Sequence, residues 1–190
     1  MKTLKNWSLT HSDQHHVALT VDGKYQLNLY VLEAGMFRVA IKRQSGFALD
    51  RTWSIAPEND VPWEGRPRDS LAGFALPAYT LEEEGDTLVV STDMLRVLVH
   101  QPLALEWQYR DSAGAWQLLT CDRPTSAYLI NAHGDGVAHY QRRMSDDAYY
   151  GLGEKSGDLQ RNGKRYEMRN LDARGYNAAA AGPLYKHVPF

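Results

Sequence analysis

The 190 residues carry 21 Lys and Arg against 23 Asp and Glu, with 43% hydrophobic residues and a single cysteine. That balance excludes a basic nucleic-acid binder, an internal disulfide and a cysteine-rich zinc site, and it suits one self-sufficient globular domain with or without a long tail. The opening Met1-Lys-Thr-Leu-Lys-Asn-Trp7 holds no apolar stretch of signal-peptide length and no run reaches a membrane span, so a cytoplasmic chain with no nucleic-acid or membrane partner is expected.

Along the chain the dominant period is two, the mark of half-buried strands. Val17-Ala-Leu-Thr-Val21 meets Lys24-Tyr-Gln-Leu-Asn-Leu-Tyr-Val31 across Asp22-Gly23. That dipeptide predicts a type I′ hairpin, because glycine accepts positive φ without steric cost. Phe37, Val39 and Ile41 alternate with Arg38, Ala40 and Lys42. Residues 56–70 hold three prolines and a glycine and read as a long loop. Glu83-Glu-Gly-Asp86 reads as a turn between Tyr79-Thr-Leu81 and Thr87-Leu-Val-Val-Ser91, with Glu82–Glu84 as a solvated charge run. Leu95, Val97 and Val99 predict one strand, and Leu105, Trp107 and Tyr109 the next. Asp111-Ser-Ala-Gly114 then turns the chain into Ala115-Trp-Gln-Leu-Leu119. No amphipathic helix is evident: Ala178–Ala181 is too short to nucleate alone and Gly182-Pro183 stops it. Many short strands at regular spacing predict an all-β antiparallel sandwich or barrel over residues 1–150, followed by an irregular segment, 151–190.

The last forty residues carry the most specific pattern. Ala148-Tyr-Tyr-Gly-Leu-Gly-Glu-Lys-Ser-Gly157 is followed by Arg161-Asn-Gly-Lys-Arg-Tyr-Glu-Met-Arg-Asn-Leu-Asp-Ala173, and then by Pro183-Leu-Tyr-Lys-His-Val-Pro-Phe190. In order and spacing this resembles the segment that joins the N-terminal domain to the catalytic barrel in family 31 glycoside hydrolases. Upstream, Val31–Ile41 and Thr92–Val99 resemble that family's early and mid-domain strands. One departure is Arg169, where the family has tryptophan. The resemblance implies a galactose-mutarotase-like β-sandwich (supersandwich). It implies a partner too: a (β/α)8 barrel in the same polypeptide that carries the catalytic aspartates of an α-glucosidase-type, retaining enzyme acting on an α-glycoside. Phe190 would fall at the entry to the first barrel strand. The chain by itself would then be inactive, with no cofactor, and with an exposed docking face near Tyr149–Leu152 and Leu184–Phe190 that permits self-association.

A retaining glycosidase needs two carboxyl groups about 5–5.5 Å apart. Asp146 and Asp147 are adjacent, so on a strand they would point to opposite faces. No catalytic residue is therefore assigned. The resemblance singles out Asp172, in Asn170-Leu-Asp-Ala173, as a substrate-binding residue on a loop over the barrel mouth. There it would accept hydrogen bonds from sugar hydroxyls. The alternative is a turn aspartate bonded to its own backbone.

Gly151-Leu-Gly-Glu154 lacks the third glycine of a dinucleotide fingerprint, so its glycines are read as permitting close packing, with Glu154 and Lys155 in a structural role. Trp53 and Trp63 are candidates for stacking on pyranose rings, or for packing. His15 and His16 are adjacent and on a strand could not both face one site, while His100, His133 and His139 lie in separate segments, and none shows a metal spacing. His187 reads as packing at the domain junction, and Cys121 as a small buried residue. Two rival readings remain: a freestanding carbohydrate-binding module and a sugar mutarotase.

Overall fold

The computed structural model describes residues 1–43, 46–54, 57, 61–131, 133–177 and 184–188. The Ala178–Ala181 run, Gly182-Pro183 and Phe190 lie outside the described residues. The chain divides into two compact units, Met1–Arg142 and Arg143–Phe190. Among the described residues every regular element is a strand, and no helix is long and apolar enough to cross a membrane.

The first unit is an antiparallel β-sandwich. One sheet has four strands in sequential order: β2 (Trp7–Ser12), β3 (His16–Val21), β4 (Tyr25–Glu33) and β5 (Met36–Lys42). The other orders its five strands β12-β11-β10-β9-β8, from β8 (Thr80–Glu84) and β9 (Thr87–Ser91) through β10 (Leu95–His100) and β11 (Ala104–Arg110) to β12 (Trp116–Cys121). A small third sheet joins β1 (Lys2–Thr3), β13 (Tyr128–Ile130) and β14 (Val137–His139). The short strands β6 (Arg51–Thr52) and β7 (Arg66–Pro67) pair with each other, so part of the predicted 56–70 loop is strand.

The period-two pattern explains the core. Val17, Leu19 and Val21 on β3 and Leu27, Leu29 and Val31 on β4 point to one face. Leu88, Val90, Val97, Val99 and Leu105 point to the facing side of the second sheet, and all of these residues form one buried cluster. Phe37 and Trp107 meet edge to face across it, with ring centroids 5.8 Å apart. The Trp7 Nε1–H donates to the His100 carbonyl at 2.8 Å and the Gln101 side-chain amide donates to the Trp7 carbonyl at 2.7 Å, tying the sheets at one end.

The Asp22-Gly23 hairpin forms with φ of +49° and +66° at its two central residues, as a type I′ turn requires. Its loop extends to Lys24, because Val21 pairs with Tyr25. Glu82–Glu84, predicted as a turn, is the end of edge strand β8, and the turn is only Gly85-Asp86. Three carboxylates on an outer strand discourage edge-to-edge pairing, which explains a charge run in a sheet. Tyr109, two residues beyond Trp107 on β11, is 42% exposed. A bulge in β12 lies opposite Trp107 and Gln108 and leaves Leu119 unpaired and exposed. Cys121, expected to be buried, is a free thiol at intermediate exposure on β12.

Candidate functional site

Among the described residues the second unit has no regular strand, so its backbone groups find partners through turns and side chains. Its organising residue is Arg161, which is 8% exposed. The Arg161 guanidinium donates to the carbonyls of Gly151, Ser156 and Asp158, and its own amide donates to the Tyr149 carbonyl at 2.7 Å. It also lies 5.7 Å from the Tyr166 ring centroid. The neighbouring Asn162 accepts from the Tyr149 amide at 2.8 Å and donates to the Asp147 carbonyl at 2.6 Å. A planar guanidinium presents five donors in a fixed fork, and here the fork gathers carbonyls that no sheet satisfies. Sequence reasoning missed this role, because an arginine among glycines and polar residues looks solvated.

Gly151, Leu152 and Gly153 follow one another at φ of +89°, +69° and +76°. The reading of the glycines as close-packing residues holds at Gly153. A Cβ there would stand 2.7 Å from the Lys186 carbonyl oxygen and 2.9 Å from the His187 Cα. That approach lets the Glu154 amide donate to the Lys186 carbonyl at 2.9 Å, while Glu154 Oε2 accepts from the Lys186 amide at 3.0 Å. Lys155 donates to the Glu167 carbonyl. Both charged residues therefore have structural partners within the unit.

Asp172 lies on the loop opposite this clamp. Its side chain is 71% exposed, and the nearest cation is Arg174 Nε at 3.5 Å, itself 90% exposed. Its backbone carbonyl accepts from the Arg174 amide at 3.1 Å, so the predicted local turn exists, but it is made by the main chain. The carboxylate oxygens remain able to accept hydrogen bonds from hydroxyl groups. On either side the loop is tied down. The Leu171 amide donates to the Leu184 carbonyl at 3.3 Å, and the Tyr185 hydroxyl donates to the Ala173 carbonyl at 2.9 Å. His187 Nε2 meets the Arg169 carbonyl at 2.6 Å; a carbonyl only accepts, so that nitrogen bears the proton. Tyr149, Tyr150, Tyr176, Tyr185 and Val188 are exposed in the same unit, an unusual amount of solvent-facing aromatic surface.

The other candidates have local uses. Asp147 Oδ2 accepts from the Met144 amide at 2.8 Å and the Tyr149 hydroxyl at 3.3 Å, which makes it a turn residue. His139 stacks on Tyr128 at 4.5 Å and meets the buried Asp122 carboxylate at 2.7 Å. Burial, and after it the Asp122 charge, push the Tyr128 phenol above its ordinary range. His16 stacks on Tyr30 and bonds Asn28 at 2.8 Å. His100 lies 3.2 Å from the Thr87 hydroxyl and 3.6 Å from Glu106 Oε2. His133 donates its amide to Asn131 Oδ1. Among the described residues no three His, Cys, Asp or Glu side chains converge as metal ligands. Trp53 anchors its loop by donating to the Trp63 carbonyl at 3.0 Å, whereas Trp63 is 94% exposed and packs on little.

Known proteins match this arrangement of sheets. The sequence profile described as "Glycosyl hydrolase 31 N-terminal galactose mutarotase-like domain" matches residues 26–190. A family 31 dextranase of Flavobacterium johnsoniae, solved with isomaltotriose as a D412A mutant and also with glucose, superposes with a TM-score of 0.71 at 24% identity. That match covers 99% of this chain and 21% of the dextranase, so the chain spans about a fifth of that enzyme's length. An uncharacterised protein of Listeria monocytogenes, solved with α- and β-glucose, magnesium and calcium, matches over 90% of this chain and 15% of its own, with a TM-score of 0.59 at 15% identity. At these identities the likeness concerns the fold. No curated relative matches the chain.

Proposed function

Because the chain belongs to the glycoside hydrolase 31 N-terminal, galactose mutarotase-like domain family, we propose that it is the non-catalytic N-terminal domain of a retaining α-glucosidase-like enzyme. It packs against a catalytic barrel of the same polypeptide and lends Asp172 to the sugar pocket. The barrel supplies the pair of carboxyl groups that breaks the α-glycosidic bond. This domain supplies a charged hydrogen-bond acceptor and a wall, and needs no metal or cofactor. The exposed tyrosines of residues 149–185 form its docking side, which in the isolated domain also allows self-association. The whole enzyme acts in the cytoplasm.

The single observation that carries this reading is the Asp172 carboxylate: solvent-facing, lightly paired, and on a loop that three separate bonds hold in place. A hydrogen bond from a neutral hydroxyl to a carboxylate contributes about 1.5–3 kcal/mol. Asp172→Ala in the full-length polypeptide should therefore lower kcat/KM roughly tenfold to hundredfold on an α-glucoside, with the urea midpoint unchanged. Unchanged kinetics would reduce Asp172 to a turn residue.

The near-complete exposure of Trp63 favours a second reading, a carbohydrate-binding module that acts without a barrel. Titration of this chain alone with maltose and isomaltose distinguishes the two. Binding abolished by Trp63→Ala supports the module, and heat-silent titrations remove it.

A further inference from the structure

Among the described residues the Asp172 carboxylate has one ionic neighbour, Arg174, which is almost fully exposed and does little to fix where the carboxylate points. What locates it is the backbone on either side. The Arg169 and Ala173 carbonyls are held by the side chains of His187 and Tyr185, and the Leu171 amide is held by the Leu184 carbonyl. All three holds come from one short segment, residues 184–188. That segment is itself suspended from Glu154, whose amide and carboxylate take both main-chain groups of Lys186 in a two-point bridge. Gly153 brings the two segments close enough for the bridge, with no room for a Cβ. The Nδ1 atom of His187 is buried without a partner among the described residues, so the Arg169 contact is the hydrogen bond that places the ring there.

We propose that Glu154 is the positioning residue of the Asp172 loop, acting through Lys186 and the Tyr185 and His187 side chains, and that it sets how well the full enzyme engages its sugar. This rests on the reading of Asp172 as a sugar contact. A carboxylate bonded to a backbone amide is stronger and more directional than a neutral pair, which suits a group that must hold a segment in register. Displacement of a binding group by about 1 Å is enough to cost on the order of a hundredfold in rate.

The test is kinetic and uses the full-length polypeptide. Glu154→Ala should lower kcat/KM about tenfold, while Glu154→Gln, whose amide oxygen still accepts from the Lys186 amide, should restore most of it. In a D172A background the same Glu154→Ala change should add less than about twofold, because the group being positioned is gone. Tyr185→Phe removes only the hydroxyl that reaches Ala173. It should show a smaller loss, about threefold, that also vanishes with D172A, and it reads the same coupling if E154A does not fold. Losses that add in full to that of D172A, or E154A and Y185F variants with wild-type kinetics, overturn the positioning role while leaving Asp172 as a sugar contact. A D172A enzyme with unchanged kinetics overturns both.

Discussion

In residues 1–142 most buried residues form one apolar cluster running from Leu4 to Ile130, whereas in residues 143–190 the only buried residues among those described are Arg161 and Leu184. The sandwich buries hydrocarbon and lets the sheet ladders satisfy its backbone. Among its described residues the C-terminal unit buries almost no hydrocarbon and satisfies backbone groups with side chains: Arg161 for three carbonyls, Asn162 for an amide and a carbonyl, Glu154 for an amide. Burial is non-directional and tolerates local change, while a polar network holds one geometry and fails when one member is removed. On the proposed reading of Asp172 as a sugar contact, the segment that carries it has more use for geometry than for bulk stability.

The sharpest way to break the contrast is at the centre of the sandwich. Leu29 on β4 is fully buried in the cluster between the two sheets. Leu29→Ala removes that contact area and leaves a cavity, and should destabilise the protein by about 2–5 kcal/mol. The urea midpoint should fall strongly with an unchanged m-value. A loss under about 1 kcal/mol would mean that the sheets can collapse onto the gap and that the core is less closely packed than its burial suggests.

The matching change in the other unit is Arg161→Lys. Charge is kept, but a single ammonium cannot reproduce a guanidinium fork across the Gly151, Ser156 and Asp158 carbonyls. The expected cost is about 2 kcal/mol, set by the charged hydrogen bonds lost. It should be read in residues 149–167: faster amide exchange and easier proteolysis there, with the protection of β3, β4 and β10 unaltered. Equal loosening of the sandwich strands would mean that the two units do not differ in the way their interiors suggest.

The same contrast explains what was legible beforehand. Strands β3, β4, β5, β9, β10 and β11 could be read because each carries apolar residues at alternate positions that pack into or against the cluster. The turns at Asp22-Gly23 and Asp111–Gly114 carried their own residues. Strand β1 could not be read: it is two residues long and pairs with Ile130 and Leu129, contacts that only the finished fold supplies. Polar β2 was equally silent, because its edge position leaves Ser8, Thr10 and His11 in solvent. Glu82–Glu84 misled because charge suits a sheet edge as well as a turn. In the C-terminal unit periodicity says nothing. There the motif resemblance pointed to Asp172 and to Gly151-Leu-Gly-Glu154, but not to the Lys186 backbone as the partner of Glu154, thirty-two positions away.

Polar geometry also occurs inside the sandwich, and pH probes it at Asp22. Burial raises the tendency of this carboxyl to stay protonated. The Asn6 amide at 3.0 Å, Lys2 at 3.1 Å and the Lys5 amide at 3.3 Å outweigh that effect, and its pKa falls below the ordinary 3.8. A carboxyl with a lowered pKa in the folded state binds its proton less readily there than in the unfolded chain. Its stabilisation is therefore complete above 3.8 and is lost as pH falls through the lower folded value. Asp22→Asn isolates this contribution, because asparagine tolerates the φ of +49° and can still accept from an amide. The wild type should exceed the variant by about 1 kcal/mol near neutral pH, the magnitude of a partly buried, amide-bonded carboxylate. The two should converge at strongly acid pH, where both side chains are neutral. Asp13 and Asp111, whose carboxyls are also lowered, titrate identically in both proteins and drop out of the difference. Equal stability of the two proteins at neutral pH would show that the amide bonds, which asparagine keeps, rather than the charge, hold the N-terminal segment to the hairpin.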